Sequence, residues 1–213
     1  MPEPLLILGA RIFALEVADL VSEIPRFQLA GFVENLDPDR CLQHLDGFPV
    51  YWVDELARLA STHSGVCAFG STRRKAFIQQ AAAQGFPFAT LVHPAARLSP
   101  TSTAGPGTVI WPGAIVSAHT HIGEHVLINR GALIGHNAEV GDCVTLGAGA
   151  NVAGCCRIGS GSYIAMGAVI VERITIGAGA VVAAGSVVIR DVPDHVMVAG
   201  MPAVIVKRDV DGL

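Results

Sequence analysis

The sequence predicts a mixed chain, a small α/β domain that is Rossmann-like in its order of elements, followed by a triangular parallel β-helix. Three observations predict it. Glycines recur every eighteen residues in two columns, one running Gly105, Gly123, Gly141, Gly159 and Gly177, the other Gly113, Gly131, Gly149, Gly167 and Gly185. An aliphatic register with a step of six runs from Leu98 to Val188 without a slip. Residues before about 92 follow a different grammar, in which strand-like and helix-like apolar spacings alternate. Three hexads close one triangular coil, so residues eighteen apart stack directly at the ~4.8 Å strand spacing.

The first half is read in chain order. Residues 5–8 form a short buried strand that ends at Gly9, and residues 11–23 have helical spacing through Ile12, Leu15, Val17, Ala18 and Val21. Residues 29–33 give the next strand, 53–61 a helix, and 66–69 a third strand. Ser71 is placed to cap a helix over 72–84, and residues 88–92 close the set. Strands alternating with helices imply a small parallel sheet. The boundary falls at His93-Pro94, because the residue before proline is held extended, giving domains 1–92 and 93–213.

In the second half, position one of each hexad is aliphatic and points inward. Position five is mostly small (Thr108, Ala114, Ala132, Ala150, Ala168), which suits the narrow corners of a triangle. Position six divides into three outer faces. The first reads Ile115, Leu133, Asn151, Val169, Val187; the second Val109, Leu127, Thr145, Tyr163, Val181; the third His121, Glu139, Arg157, Thr175, Pro193. Two apolar faces are more than a monomer exposes, so a homotrimer around a three-fold axis is expected.

Composition narrows the function. The 213 residues are 51% hydrophobic with 24 glycines, enough for a real core. A net charge of −4 with scattered Lys and Arg argues against a nucleic-acid partner. Five cysteines, Cys41, Cys67, Cys143, Cys155 and Cys156, show no CxxC pair, which points to a reduced, cytoplasmic protein. No leader pattern and no run of about eighteen apolar residues stand in the sequence, so neither secretion nor a membrane span is expected.

The stretch Ile134-Gly-His-Asn-Ala-Glu-Val140 and the ending Val192-Pro-Asp-His-Val-Met-Val-Ala-Gly-Met-Pro-Ala-Val204 carry a resemblance. With the hexads and the order of domains, they resemble the left-handed β-helix acyltransferases. The similarity is closest to the sialic-acid O-acetyltransferase branch, which includes N-acetyltransferases acting on nucleotide-linked amino sugars. The resemblance implies a trimer that takes an acetyl group from acetyl-CoA held between neighbouring prisms. It also implies that the amino-terminal domain holds the nucleotide of the sugar.

His136 is the candidate base. It sits at position three of its hexad, and the stacking rule puts Gly154 one coil above it. A glycine there leaves a bare backbone N–H and room for a thioester. In similar enzymes the matching amide binds the acetyl carbonyl, which gives Gly154 the oxyanion role. Asn137 stands where relatives often have Asp or Glu; it can orient the imidazole but adds no charge. By the same resemblance Thr145, Met166 and Ala184 match positions near CoA, and Lys207 and Arg208 are placed to meet its phosphates. Cys155, beside Gly154, makes a covalent acetyl-cysteine route conceivable, although direct transfer is simpler. His119, His121, His125 and His136 are dense enough to raise a zinc site, but the second histidine of the prism-shaped carbonic anhydrases would fall at 141, which is Gly. No metal is expected.

The nucleotide site departs from the family pattern. Relatives open with a glycine-rich turn that ends in histidine; here only Gly9 survives, with Arg11 placed to meet a phosphate instead. Glu34-Asn35 stands where relatives read the nucleotide with an acidic pair, and Gly70, Ser71 and Arg74 fit a later loop. The expected activity is N-acetylation of a nucleotide-linked amino sugar. O-acetylation of a sialic-type sugar and a noncatalytic trimeric scaffold are the alternatives.

Overall fold

The computed structural model describes the whole chain, Met1–Leu213, apart from the Arg73 side chain. The chain folds as two compact units. Met1–Gly70 and Arg74–Leu91 form the first; Ser71–Arg73 and Val92–Leu213 form the second.

In the first unit the elements are β1 (Glu3–Leu8), α1 (Ile12–Ser22), β2 (Phe27–Glu34), β3 (His44–Leu45), β4 (Phe48–Trp52), α2 (Leu56–Leu59), β5 (Ser64–Cys67) and α3 (Lys75–Ala83). The sheet order is β3-β4-β2-β1-β5, parallel except for the β3–β4 hairpin. β1 is central, and Leu5 to Leu8 are fully buried on both faces, as a parallel sheet flanked by helices requires.

Two local readings change. A hairpin at 44–52 fills a stretch to which the sequence assigned no element. Its turn is Asp46-Gly47, both with positive φ (50° and 79°), the backbone that a two-residue hairpin favours. The helix expected over 53–61 is shorter, a 3₁₀ turn at Val53–Glu55 running into α2. The Ser71 hydroxyl, ahead of the turn at Thr72–Arg74, donates to the Leu213 carbonyl.

The second unit is a left-handed parallel β-helix. Two-residue strands, β6 to β22, recur every six residues from Leu91–Val92 to Val187–Val188. They stack in three parallel sheets with an eighteen-residue register, for example Leu133 against Asn151 and Ile134 against Val152. β23 (Val196–Gly200) extends one sheet and turns back as β24 (Ala203–Arg208), an antiparallel hairpin at the end of the prism. The interior is the aliphatic register itself, Ile110, Val116, Ile122, Ile128 and onward, all buried.

The two glycine columns have different causes. Gly113, Gly131, Gly149, Gly167 and Gly185 take φ of 65–72°, the left-handed region where a side chain costs about 1 kcal/mol. The other column lies under the backbone of the next coil: a β-carbon on Gly159 would fall 2.5 Å from the Ala178 nitrogen.

The outer faces correct the sequence reading. The first face exposes Ile115, Leu133 and Val169. The second does not: Val109, Leu127, Thr145 and Val181 are buried within the single chain. The third is exposed and polar, with Arg157 and Glu139 paired at 3.2 Å. Its ladder ends at Thr175, because Val192 makes only an isolated bridge to Ile176 and Pro193 falls outside the stack.

Candidate active site

The strand β13 (Leu133–Ile134) leads into a corner between the first and third faces. Ile134 and Ala138 turn inward and are buried, so the two residues between Gly135 and Ala138 are pushed outward, and His136 and Asn137 are exposed. Asn137 has a φ of 55°, a conformation that asparagine tolerates better than most residues. From there its Oδ1 lies 3.0 Å from His136 Nδ1. An amide oxygen only accepts, so Nδ1 carries the proton and the lone pair of Nε2 is left for chemistry.

Nε2 sits over Gly154. A β-carbon there would lie 2.8 Å from Nε2, 3.0 Å from Cε1 and 3.1 Å from Cδ2. The Cys155 N–H donates to the His136 carbonyl at 2.8 Å and fixes the two coils in register. Gly154 itself is buried beneath the exposed ring, so a carbonyl can enter between them only as the imidazole tilts outward.

The Gly154 amide differs from three of its counterparts at another corner. There the Glu124 N–H donates to Asp142 Oδ1 at 2.8 Å, the Asp142 N–H to Ser160 Oγ at 3.1 Å, and the Ala178 N–H to Asp194 Oδ1 at 2.8 Å. Among the described residues the Gly154 N–H meets no such acceptor. A donor not already committed is what a developing oxyanion requires.

The structure does not bring the other predicted donor-site residues to His136 within one chain. Met166 and Ala184 are exposed, but at the corner between the second and first faces. Thr145 is buried on the second face, away from the His136 corner. Lys207 and Arg208 are exposed on β24. Cys155 is half-buried beside Gly154 with a φ of 58°. Burial pushes the neighbouring Cys156 thiol up, and that thiol donates to the Val171 carbonyl at 3.1 Å. Among the described residues no three of His, Cys, Asp and Glu converge to hold a metal.

In the first unit, Gly9 follows β1 with a φ of 125°, and a β-carbon on it would lie 3.1 Å from the Ala68 oxygen. Arg11 is exposed at the start of α1 and makes no side-chain cap. Glu34 is buried and turned onto its own loop: Oε1 accepts from the Asn35 and Leu36 N–H groups, both at 2.9 Å. One carboxylate oxygen is therefore committed to the backbone and the other lies 3.9 Å from Arg40 Nε, while the half-buried Asn35 donates to Gln80 Oε1 at 2.9 Å. Gly70 is exposed, whereas Arg74 is buried. Two depressions lie elsewhere, one of about 810 Å³ beside α1 and one of about 560 Å³ along the third face, and His136 lines neither. No helix of the described residues is long and apolar enough to cross a membrane.

The hexad prism is the architecture of the hexapeptide-repeat transferase class. The family described as bacterial transferase hexapeptide (six repeats) matches residues 119–154 and 155–190. No curated protein sequence matches the chain. Among solved structures the chain is similar to PerB from Caulobacter crescentus in complex with CoA and GDP-perosamine, with 31% identity and a TM-score of 0.86 over 95% of this chain and 96% of that one. It is similar to the acetyltransferase domain of PglB from Neisseria gonorrhoeae FA1090 in complex with acetyl coenzyme A, with 30% identity and a TM-score of 0.87 over 97% and 100% of the two chains. WeeI from Acinetobacter baumannii AYE gives 26% identity and a TM-score of 0.85 over 96% and 100%. The chain belongs to the hexapeptide-repeat acyltransferases, in the branch of the sialic-acid O-acetyltransferases and nucleotide-amino-sugar N-acetyltransferases, and it is an acetyltransferase.

Proposed function

We propose that this protein transfers an acetyl group from acetyl-CoA to the amine of a nucleotide-linked amino sugar. The observation that carries the reading is the placement of His136 Nε2 over the Gly154 backbone, with Nδ1 tied to Asn137. The similar PerB was solved with CoA and GDP-perosamine, and the PglB domain with acetyl coenzyme A, which supports this donor and this class of acceptor.

Acetyl-CoA supplies an activated acyl group as a thioester. As the sugar nitrogen bonds to the thioester carbon, His136 accepts the amine proton at Nε2. Asn137 holds the ring so that Nδ1–H cannot compete for the acceptor. The Gly154 N–H donates to the carbonyl oxygen as it gains negative charge. The C–S bond then breaks, the sulfur takes a proton from His136 and leaves as the free thiol of CoA, and the base is restored. Arg11 and the α1 amino terminus, with Gly9 and Asn35, are the groups the first unit offers to a nucleotide diphosphate.

The working form is a homotrimer. Met166 and Ala184 lie at one edge of the exposed first face and His136 at the other. Cyclic packing on that face brings the two edges of neighbouring copies together into one groove. Free thiols at all five cysteines suit the cytoplasm.

The test is a turnover assay with acetyl-CoA against GDP- and UDP-linked 4-amino sugars and their hydroxyl counterparts. Release of CoA with formation of an amide supports the reading. Acetylation of hydroxyls alone, or none at all, refutes it.

A further inference from the structure

The carboxy-terminal residues make a tie that the mechanism does not use. Val210 N–H donates to the His195 carbonyl at 3.0 Å, and His195 Nδ1 bonds the Val210 carbonyl at 3.0 Å. Gly212 N–H then donates to the Gly179 carbonyl at 2.8 Å, fixing the tail to the prism. The next residue grips Thr72: the Thr72 N–H donates to the Leu213 carbonyl at 2.8 Å, and the Leu213 N–H donates to Thr72 Oγ1 at 2.8 Å. Ser71 Oγ donates to the same carbonyl. Thr72 is buried.

Gly212 is required by the fit. Its φ is 62°, and a β-carbon on it would collide with Thr72 Oγ1 and come within 2.5 Å of the Gly161 oxygen. The tail therefore closes on Thr72 only while residue 212 has no side chain.

The tie falls at a telling place in the chain. Ser71–Arg73 fold with the prism unit, while the chain enters them from β5 through Gly70 and leaves into α3 through Arg74, both in the other unit. The connection leaves the carboxyl end of β5, beside β1, where Ala68 N–H donates to the Leu8 carbonyl at 2.8 Å and its oxygen abuts Gly9. In open parallel sheets, ligands bind at loops on the carboxyl ends of the strands. Gly70 and Arg74 flank the gripped segment directly in the chain.

We propose that Thr72, gripped by Gly212 and Leu213, is a positioning residue that sets the β5–α3 connection for binding the nucleotide-linked acceptor. This rests on the acceptor class proposed above. Thr72 touches neither reacting atoms nor donor; it acts through the loop.

The experiment compares the parent enzyme with Thr72→Val, Thr72→Ser and Gly212→Ala in acetyl transfer to GDP-perosamine or the best sugar of the panel. Thr72→Val keeps the volume and loses the hydroxyl; Gly212→Ala disturbs the same tie from the other side. Amide exchange at residues 70–74 reports whether the tie has loosened. The expected result for both is faster exchange there and an acceptor KM raised about tenfold, the loss of one to two such hydrogen bonds. The KM for acetyl-CoA and kcat stay within about twofold, and Thr72→Ser, which keeps the hydroxyl, restores the acceptor KM. Equal changes in both KM values, or an unchanged acceptor KM, overturn the inference while leaving the function standing. A parent enzyme that acetylates no sugar overturns the acceptor reading and this inference with it.

Discussion

The imidazole of His136 rests on the backbone of Gly154 so closely that a β-carbon on the glycine would fall 2.8 Å from Nε2. Residues eighteen apart in sequence thus meet at one corner of the prism, where the proposed mechanism uses them as base and amide donor. That stack is the geometric basis of the proposed transfer.

Replacing the base removes proton transfer but little packing, since the ring is exposed. His136→Ala should lower acetyl transfer by about a hundredfold or more, with both KM values near those of the parent. Asn137→Ala should cost less, about tenfold, because the ring loses its fixed tautomer and not its lone pair. Steady-state kinetics on the two variants check this; near-parent activity in His136→Ala would remove it from the mechanism.

Two neighbouring glycines should separate stability from catalysis. In Gly154→Ala the atoms nearest the new methyl all belong to the exposed His136 ring, which can swing aside. Its melting temperature should stay near the parent's while transfer falls about tenfold or more. In Gly135→Ala the methyl meets backbone, the Gly154 nitrogen and the Ala153 carbonyl carbon at 2.6 Å, so the coils must part. Thermal unfolding should shift down clearly in that variant, by an amount typical of overpacking, about 1–3 kcal/mol.

Sedimentation tests the assembly. The parent should sediment at three times the 22.1 kDa subunit mass. Leu133→Lys, on the exposed first face, should dissociate it and abolish transfer together, because the donor groove needs two copies. An active monomer is the outcome that defeats the shared groove.

Glu55 gives a signed pH prediction. Burial pushes its carboxyl up, but Arg58 and the Trp52 N–H, which donates to Oε1 at 2.9 Å, outweigh this and hold it below its usual 4.5. A folded pKa below the unfolded one means a stabilising contribution present above about pH 4.5 and lost as pH falls through the lower folded value. Glu55→Gln should therefore flatten the acid side of the stability curve and leave neutral transfer unchanged. The pair with Arg58 is partly exposed, so the effect should be small. Urea unfolding at pH 7 and pH 4 measures it.

The prism, its interior and the His136–Gly154 stack are written in the repeat. Once six residues make one strand and eighteen one coil, covalent spacing alone sets which residues face inward and which lie above one another. The Asp46-Gly47 hairpin went unread, although its dipeptide carries the signal of a two-residue turn in which both residues take a positive φ. Features that the repeat does not reveal depend on partners distant in sequence. Val109, Leu127 and Thr145 look like an outer face in the repeat yet are buried, and Glu34 looks like a nucleotide reader yet caps its own loop. Thr72 meets Leu213 across 141 residues of chain. Periodicity orders neighbours within a coil; it carries no information about a side chain whose hydrogen-bond partner lies outside the repeat.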